Sequence, residues 1–272
     1  MIKSSLDIGL LLASLLFYAD FDRSFDAVYS VGKGEALIET DRYEPFITSG
    51  NGGRFGEAAS FIYGVMRETI WTKDVVRYPA RGNFPYVHGE AFDGTIGMWL
   101  QVDMEALKER SLIWLDPVHL LSRNDRKKGK IWMDFVTDEL PDTPIFRFGA
   151  TADRDGSDQQ DNMEMDHVII IPNIAFSGKE WHHVVGTWKN LNSTGNKGVL
   201  QLYFDGRLAG ELTGFDHALD WQIDDWEIRI GLGFNGKIDD FFILGSYLSQ
   251  KEITEIYKAG KPLGALLDLR EE

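Results

Sequence analysis

Residues 200–210 read Leu-Gln-Leu-Tyr-Phe-Asp-Gly-Arg-Leu-Ala-Gly. Leu200, Leu202 and Phe204 alternate with Gln201 and Tyr203, which is the period of a strand with one buried face. Asp205-Gly206 follows. Both central positions of a two-residue hairpin turn need positive φ, and an Asp-Gly pair between alternating runs signals such a turn. The next run, Leu208–Thr213, is the returning strand. Moving outward, similar short runs recur at Thr95–Val102, Ile131–Val136, Ile145–Phe148, Val168–Ile171 and Trp181–Trp188. Ile228–Leu232 and Lys237–Leu244 close the series, and Leu15–Phe21 opens it. Strands at this spacing, with Gly-rich turns and little helix, predict an all-β, two-sheet antiparallel β-sandwich.

Two stretches read as helix. Met104–Arg110 carries good helix formers. In Ser249–Ala259, Ser249 is the N-cap, Glu252 at the third position completes a capping box, and Gly260 stops the helix ahead of Pro262. Ile253, Ile256 and Tyr257 fall on one face, so this short C-terminal helix packs on the body. Two stretches, 103–130 and 150–166, read as long loops.

Composition narrows the function classes. The chain has 272 residues, and Lys+Arg 28 against Asp+Glu 43 gives a formal charge of −15. Such a chain is poorly suited to a nucleic-acid partner, because binding a polyanion needs clustered cations. With no cysteine, disulfides, thiolate metal sites and cysteine nucleophiles are excluded. Ile8–Ala19 is apolar but shorter than the roughly 20 residues of a membrane span. One reading of that stretch is a signal-peptide core; the preferred reading is that Leu15–Phe21, which overlaps its end, is the first strand.

The order of motifs resembles a known family. Trp-His-His-Val-Val-Gly-Thr-Trp stands at 181–188, ahead of the 200–210 hairpin. Gly-Lys-Ile-Asp-Asp-Phe-Phe-Ile-Leu follows at 236–244, then Leu-Ser-Gln-Lys-Glu-Ile-Thr-Glu-Ile-Tyr at 248–257. Upstream, Leu-Leu-Phe-Tyr-Ala-Asp-Phe-Asp at 15–22, Gly-Arg-Phe-Gly-Glu-Ala at 53–58 and Gly-Thr-Ile-Gly-Met-Trp-Leu at 94–100 come in the same order. The series resembles laminin-G-like, concanavalin-A-like lectin and glucanase jelly rolls. The resemblance implies one jelly-roll domain over residues 15–260, with an N-terminal extension at 1–14 and a tail at 261–272. It also implies an extracellular or cell-envelope location.

Two further implications concern sites. Family members often hold a structural calcium ion between a carboxylate of the first strand and one of the Ile-Asp-Asp strand. The matching residues are Asp22 and Asp239, with Asp240 or Asp20 as alternatives; the other reading is that these aspartates only terminate strands. Laminarinase-type hydrolases of this fold use Glu-x-Asp-x-Glu. In this chain Glu164-Met165-Asp166 is followed by Val168 at the third position, so that reaction lacks its acid/base. The acidic loop 153–166 has Asp158 where a calcium-binding EF-hand needs Gly. His182 and His183 are adjacent and face opposite sides of a strand. No metal-catalytic, nucleotide-binding or Gly-x-Ser-x-Gly spacing occurs.

The outward positions of the middle strands remain: Trp132, Asp134, Arg147, Gln201 and Tyr203. An exposed sheet face with aromatic, acidic, basic and amide groups is how the family's domains hold glycans, so the leading expectation is non-catalytic carbohydrate binding. The alternatives are a protein-interaction or structural module of a surface assembly, and a glycoside hydrolase or polysaccharide lyase. The last would draw on Arg147, Gln201 and Tyr203.

Overall fold

The computed structural model describes residues 6–39, 52–61, 75–102, 114–124, 128–136, 145–153, 167–172, 174, 176 and 180–269. Met104–Arg110 and Glu164-Met165-Asp166 lie outside them. Two antiparallel sheets are present. The eight-stranded sheet runs β13 (Arg207–Phe215), β12 (Gly198–Phe204), β11 (His182–Leu191), β6 (Phe92–Val102), β15 (Gly236–Leu244), β1 (Leu15–Ala19) and β2 (Tyr29–Ser30). Its eighth strand, β4 (Ala59–Ser60), also pairs with β15. The seven-stranded sheet runs β10 (Val168–Pro172), β9 (Ile145–Ala150), β8 (Ile131–Val136), β7 (Trp114–Ser122), β14 (Trp226–Leu232), β5 (Val75–Pro79) and β3 (Leu37–Glu39). The chain is an all-β sandwich.

Between the sheets, Phe17, Met98, Met133, Phe148, Leu202 and Ile230 are buried in one cluster. The hairpin expected at Asp205-Gly206 is present, with φ of 50° and 73°. Trp188 is inside the sandwich, and Trp221 and Trp226 stack there with ring centroids 3.8 Å apart. Trp99 is not inside. It faces outward and stacks on Tyr257 at 5.8 Å, because Met98 and Leu100 take the inward positions of β6.

Among the described residues, three α-helices lie near the eight-stranded sheet: α1 (Ile8–Ser14), α2 (Gln250–Ala259) and α3 (Leu263–Leu266). The capping box of α2 forms, and Gly260 ends the helix in the left-handed conformation. Helix α2 lies against the outer face of the sheet beside its edge strand β13, where Gln250 Oε1 accepts from Leu208 N and Thr254 donates to Gly206 O. Ile253 and Ile256 join Leu11, Val185, Tyr203 and Phe242 in a second apolar cluster on the sheet's outer face.

The stretch 103–130 is not all loop, since β7 occupies Trp114–Ser122. Asp116-Pro117 interrupts its alternation, and the register shifts between Leu115 and Val118 at that place. A bulge leaves a residue unpaired, so a proline without an N–H is tolerated there. No helix among the described residues is long and apolar enough to cross a membrane.

Candidate functional site

The five outward residues do not form one site. Gln201 and Tyr203 belong to β12 in the eight-stranded sheet, whereas Trp132, Asp134 and Arg147 belong to β8 and β9 in the other. With a shared core between the sheets, the two outer faces point in opposite directions. Alternation told which residues face away from the core, but not to which sheet each strand belongs.

Tyr203 is buried in the apolar cluster beneath α2. Its hydroxyl donates to Gln201 Oε1 at 2.7 Å, and the Tyr247 hydroxyl donates to the same oxygen. Gln201 Nε2 donates to Glu211. Burial pushes the Tyr203 phenol well above its ordinary range. The group therefore seals the joint between the sheet and the segment leading into α2.

The outer face of the seven-stranded sheet is different. Arg147 donates to Asp134 through Nε at 2.8 Å and Nη2 at 2.5 Å, and its guanidinium lies 4.8 Å from the Trp132 ring centroid. Gly149 lies opposite Trp132 across the strands, and a Cβ there would stand 2.6 Å from the indole, so the glycine lets the ring lie against the sheet. Trp132, Asp134 and Arg147 are nearly buried, which does not match the open, solvated positions expected of them. The pairing of two opposite charges is what lets both stay out of water.

The register extends this face sideways. Trp132 pairs with His119, His119 with Arg229, and Arg229 with Arg77. His119 Nδ1 is 2.7 Å from Asp116 Oδ2. Glu227, also outward on β14, receives Arg229 at 3.0 Å and lies 3.5 Å from Arg77 and 3.7 Å from Arg123. Arg77, Arg229 and Glu227 were not singled out from the sequence, although Arg229 alternates with Ile228 and Ile230 in an expected strand. His119 and Arg77 come together only through long-range pairing.

The aspartates lie elsewhere. Asp239 Oδ2 accepts from the Arg54 and Phe55 main-chain N–H groups at 2.7 and 3.0 Å, and Asp22 Oδ1 accepts from Glu57 N at 2.6 Å. Both thus anchor the loop 53–57. Asp240 faces away from it, at a φ of 53° in a bulged segment, and Oδ1 accepts from the Tyr18 hydroxyl and from Leu263 N. Burial pushes the Asp239 carboxyl up to about 8 and Asp240 up to about 7, with main-chain or tyrosine donors working against it. Calcium takes six to eight oxygens. Here Asp22 and Asp239 face the loop 53–57, each with one oxygen accepting from main-chain N–H groups, while Asp240 is turned to Tyr18 and Leu263. Among the described residues, no three His, Asp or Glu side chains are grouped to hold a metal. Asp22 and Asp239 alone do not supply the six to eight oxygens that calcium takes.

Residues 93–254 match the laminin G-type model of the concanavalin A-like lectin/glucanases superfamily, more than half of the chain. The chain belongs to this superfamily. No curated protein sequence matches this superfamily member. Solved structures resemble it at low identity. The binding domain of Paraclostridial Mosquitocidal Protein 1 is 15% identical with a TM-score of 0.56, covering 92% of this chain and 53% of that one. Domain 4 of AbnA, a GH43 extracellular arabinanase from Geobacillus stearothermophilus solved with arabinotriose, is 14% identical with a TM-score of 0.52, covering 90% and 99%. The binding domain of botulinum neurotoxin DC, solved with rat synaptotagmin II, is 12% identical with a TM-score of 0.56, covering 91% and 52%. The lectin/glucanase-like chain spans about half the length of these two toxin domains. At such identities the likeness is one of fold.

Proposed function

We propose that this chain is a non-catalytic carbohydrate-binding domain of an exported or envelope protein, and that it binds through the outer face of the seven-stranded sheet. The observation that carries this reading is the asymmetry of the two faces. The outer face of the eight-stranded sheet is closed by an apolar cluster and by α2. The other carries His119, Arg229 and Arg77, all half-buried, on adjacent strands beside the nearly buried Trp132, Asp134, Arg147 and Glu227. Sites for polar ligands combine apolar rings with a few placed polar groups, and this face is the one that supplies both. The arabinotriose-bound relative and the extracellular setting printed for it support the ligand class and the location.

Acid/base hydrolysis is the weaker reading. Two carboxyl groups would have to flank the sugar, one of them as an acid. On this face Asp134 is held by Arg147, Asp116 by His119, and Glu227 by arginines. A protein partner is the second reading, supported by the exposed Leu37 and Ile38 on the edge strand β3, where an extended segment could add a strand.

A glycan array with parallel reducing-sugar and unsaturated-product assays tests the proposal. Binding without product release is expected. Release of sugar ends would make the chain an enzyme, and silence on every polysaccharide would remove the carbohydrate reading.

A further inference from the structure

We infer that His217 and His167 form an acid-sensitive clasp, which holds the β11–β12 loop (190–197) against the joined edges of the two sheets and releases it when His217 takes up a proton.

The clasp lies where the sheets meet. Strand β10 is an edge of the seven-stranded sheet and β13 an edge of the eight-stranded one, and Gly210 of β13 lies against Ile169 of β10. His167 leads into β10, and its ring stacks on Phe215 at the end of β13, with centroids 4.4 Å apart. His217 follows two residues later, 5.7 Å from His167 and edge-on to Phe215 at 6.3 Å. Two imidazolium charges so close would repel.

His217 also fixes the loop. Its buried ring accepts from Asn192 N through Nδ1 at 3.1 Å, so in the neutral ring the proton sits on Nε2. Its own main-chain N–H donates to Ser193 O at 2.9 Å. Asn192 carries the attachment to two further segments: Oδ1 accepts from Leu219 N at 2.8 Å, and Nδ2 donates to Glu90 O at 3.0 Å. The loop needs holding, because Asn190, Asn192, Gly195 and Asn196 take left-handed backbone, with φ of 52°, 58°, 85° and 56°.

Protonation undoes the central bond. An imidazolium carries N–H on both nitrogens, so Nδ1 would point a donor at the Asn192 N–H, and that hydrogen bond breaks. The acidic groups of the adjoining segments are engaged elsewhere. Asp216 is exposed and accepts from Asn196 N at 2.6 Å, and Asp93 accepts from Asn190 N at 2.9 Å. Asp153 accepts from Gly129 and Asp220 main-chain N–H groups, and Asp153 and Asp220 both approach Lys128. Burial, joined by the charge that His167 would carry, pushes the His217 pKa down to about 4, against a weaker pull from the Ala150 and Thr151 main chain. The folded value lies below the ordinary 6.5, so the clasp is fully closed above pH 6.5 and opens as pH falls through about 4.

The test is an NMR titration of the full chain from about pH 7 down to about pH 3.5, following the His217 ring and the backbone amides. The amides of residues 192–196 are expected to move with the same midpoint as the ring, near pH 4, while those of residues 184–186 in β11 hold their positions. At neutral pH the ring nitrogen shifts should show Nδ1 without a proton. His217→Asn, which offers an acceptor that does not titrate, should remove the loop transition. His167→Asn takes away the neighbouring charge, keeps a residue suited to a φ of 60°, and should raise the His217 midpoint. The wild-type titration stands on its own if a variant fails to fold. A loop that ignores the titration of His217, a loop transition that survives His217→Asn, or unfolding of the whole sandwich before the loop moves would each overturn the inference.

Discussion

His183 is fully buried against the rings of Trp99 and Tyr257, with centroids 5.1 and 6.1 Å away, and neither of its ring nitrogens has a hydrogen-bond partner among the described residues. Burial lowers its pKa from 6.5 to about 4, against a small opposing pull from Asp205. His217 is lowered to about 4 as well, by burial and by the nearby His167. The folded-state value lies below the unfolded one. The stability these rings allow is therefore fully present above pH 6.5 and is lost as pH falls toward 4. For His183 the loss is of order 3 kcal/mol. His183→Phe keeps the ring stack and removes two unsatisfied nitrogens. Urea unfolding at pH 7 and pH 4.5 should show a variant no less stable than wild type at pH 7 and less sensitive to acid. An acid sensitivity equal to wild type would contradict this account of the buried imidazole. Part of it was legible early: adjacent histidines on a strand must face opposite ways. His182 does turn inward, stacking on Phe204 at 4.7 Å.

At the scale of elements, local signals translated well. The Asp205-Gly206 turn and the Ser249–Glu252 capping box each involve residues a few positions apart, and both form as read. Ser249→Ala should lower stability by about 1 kcal/mol in chemical denaturation, the usual effect of losing an N-cap. Indifference to the change would mean that α2 is held by Ile253 and Ile256 alone. Strand β7 escaped the sequence reading because Asp116-Pro117 sits in its middle. A proline there looks like a breaker until the bulge that accommodates it is seen. The partition of strands between sheets escaped it too. Trp132 and Tyr203 show the same alternation, yet one faces out from the seven-stranded sheet and the other lies under a helix. The row joining residues 77, 229, 119 and 132 depends on pairings between distant segments, which no local pattern encodes.

For the whole molecule, the acidity has a clearer meaning. Asp22 and Asp239 hold loop 53–57 through main-chain N–H groups, and Asp240 ties β15 to Tyr18 and to the start of α3. Because Asp22 and Asp239 are the two carboxylates at loop 53–57 and no third His, Asp or Glu is grouped with them among the described residues, calcium and a chelator are expected to give the same thermal midpoint. A clear rise with calcium would show that the loop rearranges around the ion. One face of the sandwich is closed by its own helices, and the proposal assigns the ligand to the other. An amide NMR titration with a polysaccharide identified on the array tests that division most directly. Shifts should cluster at residues 118–120, 131–134 and 227–230, with β12 and α2 unaffected. Shifts centred on Gln201, Tyr203 and Tyr257 would place the ligand on the opposite face and contradict the account.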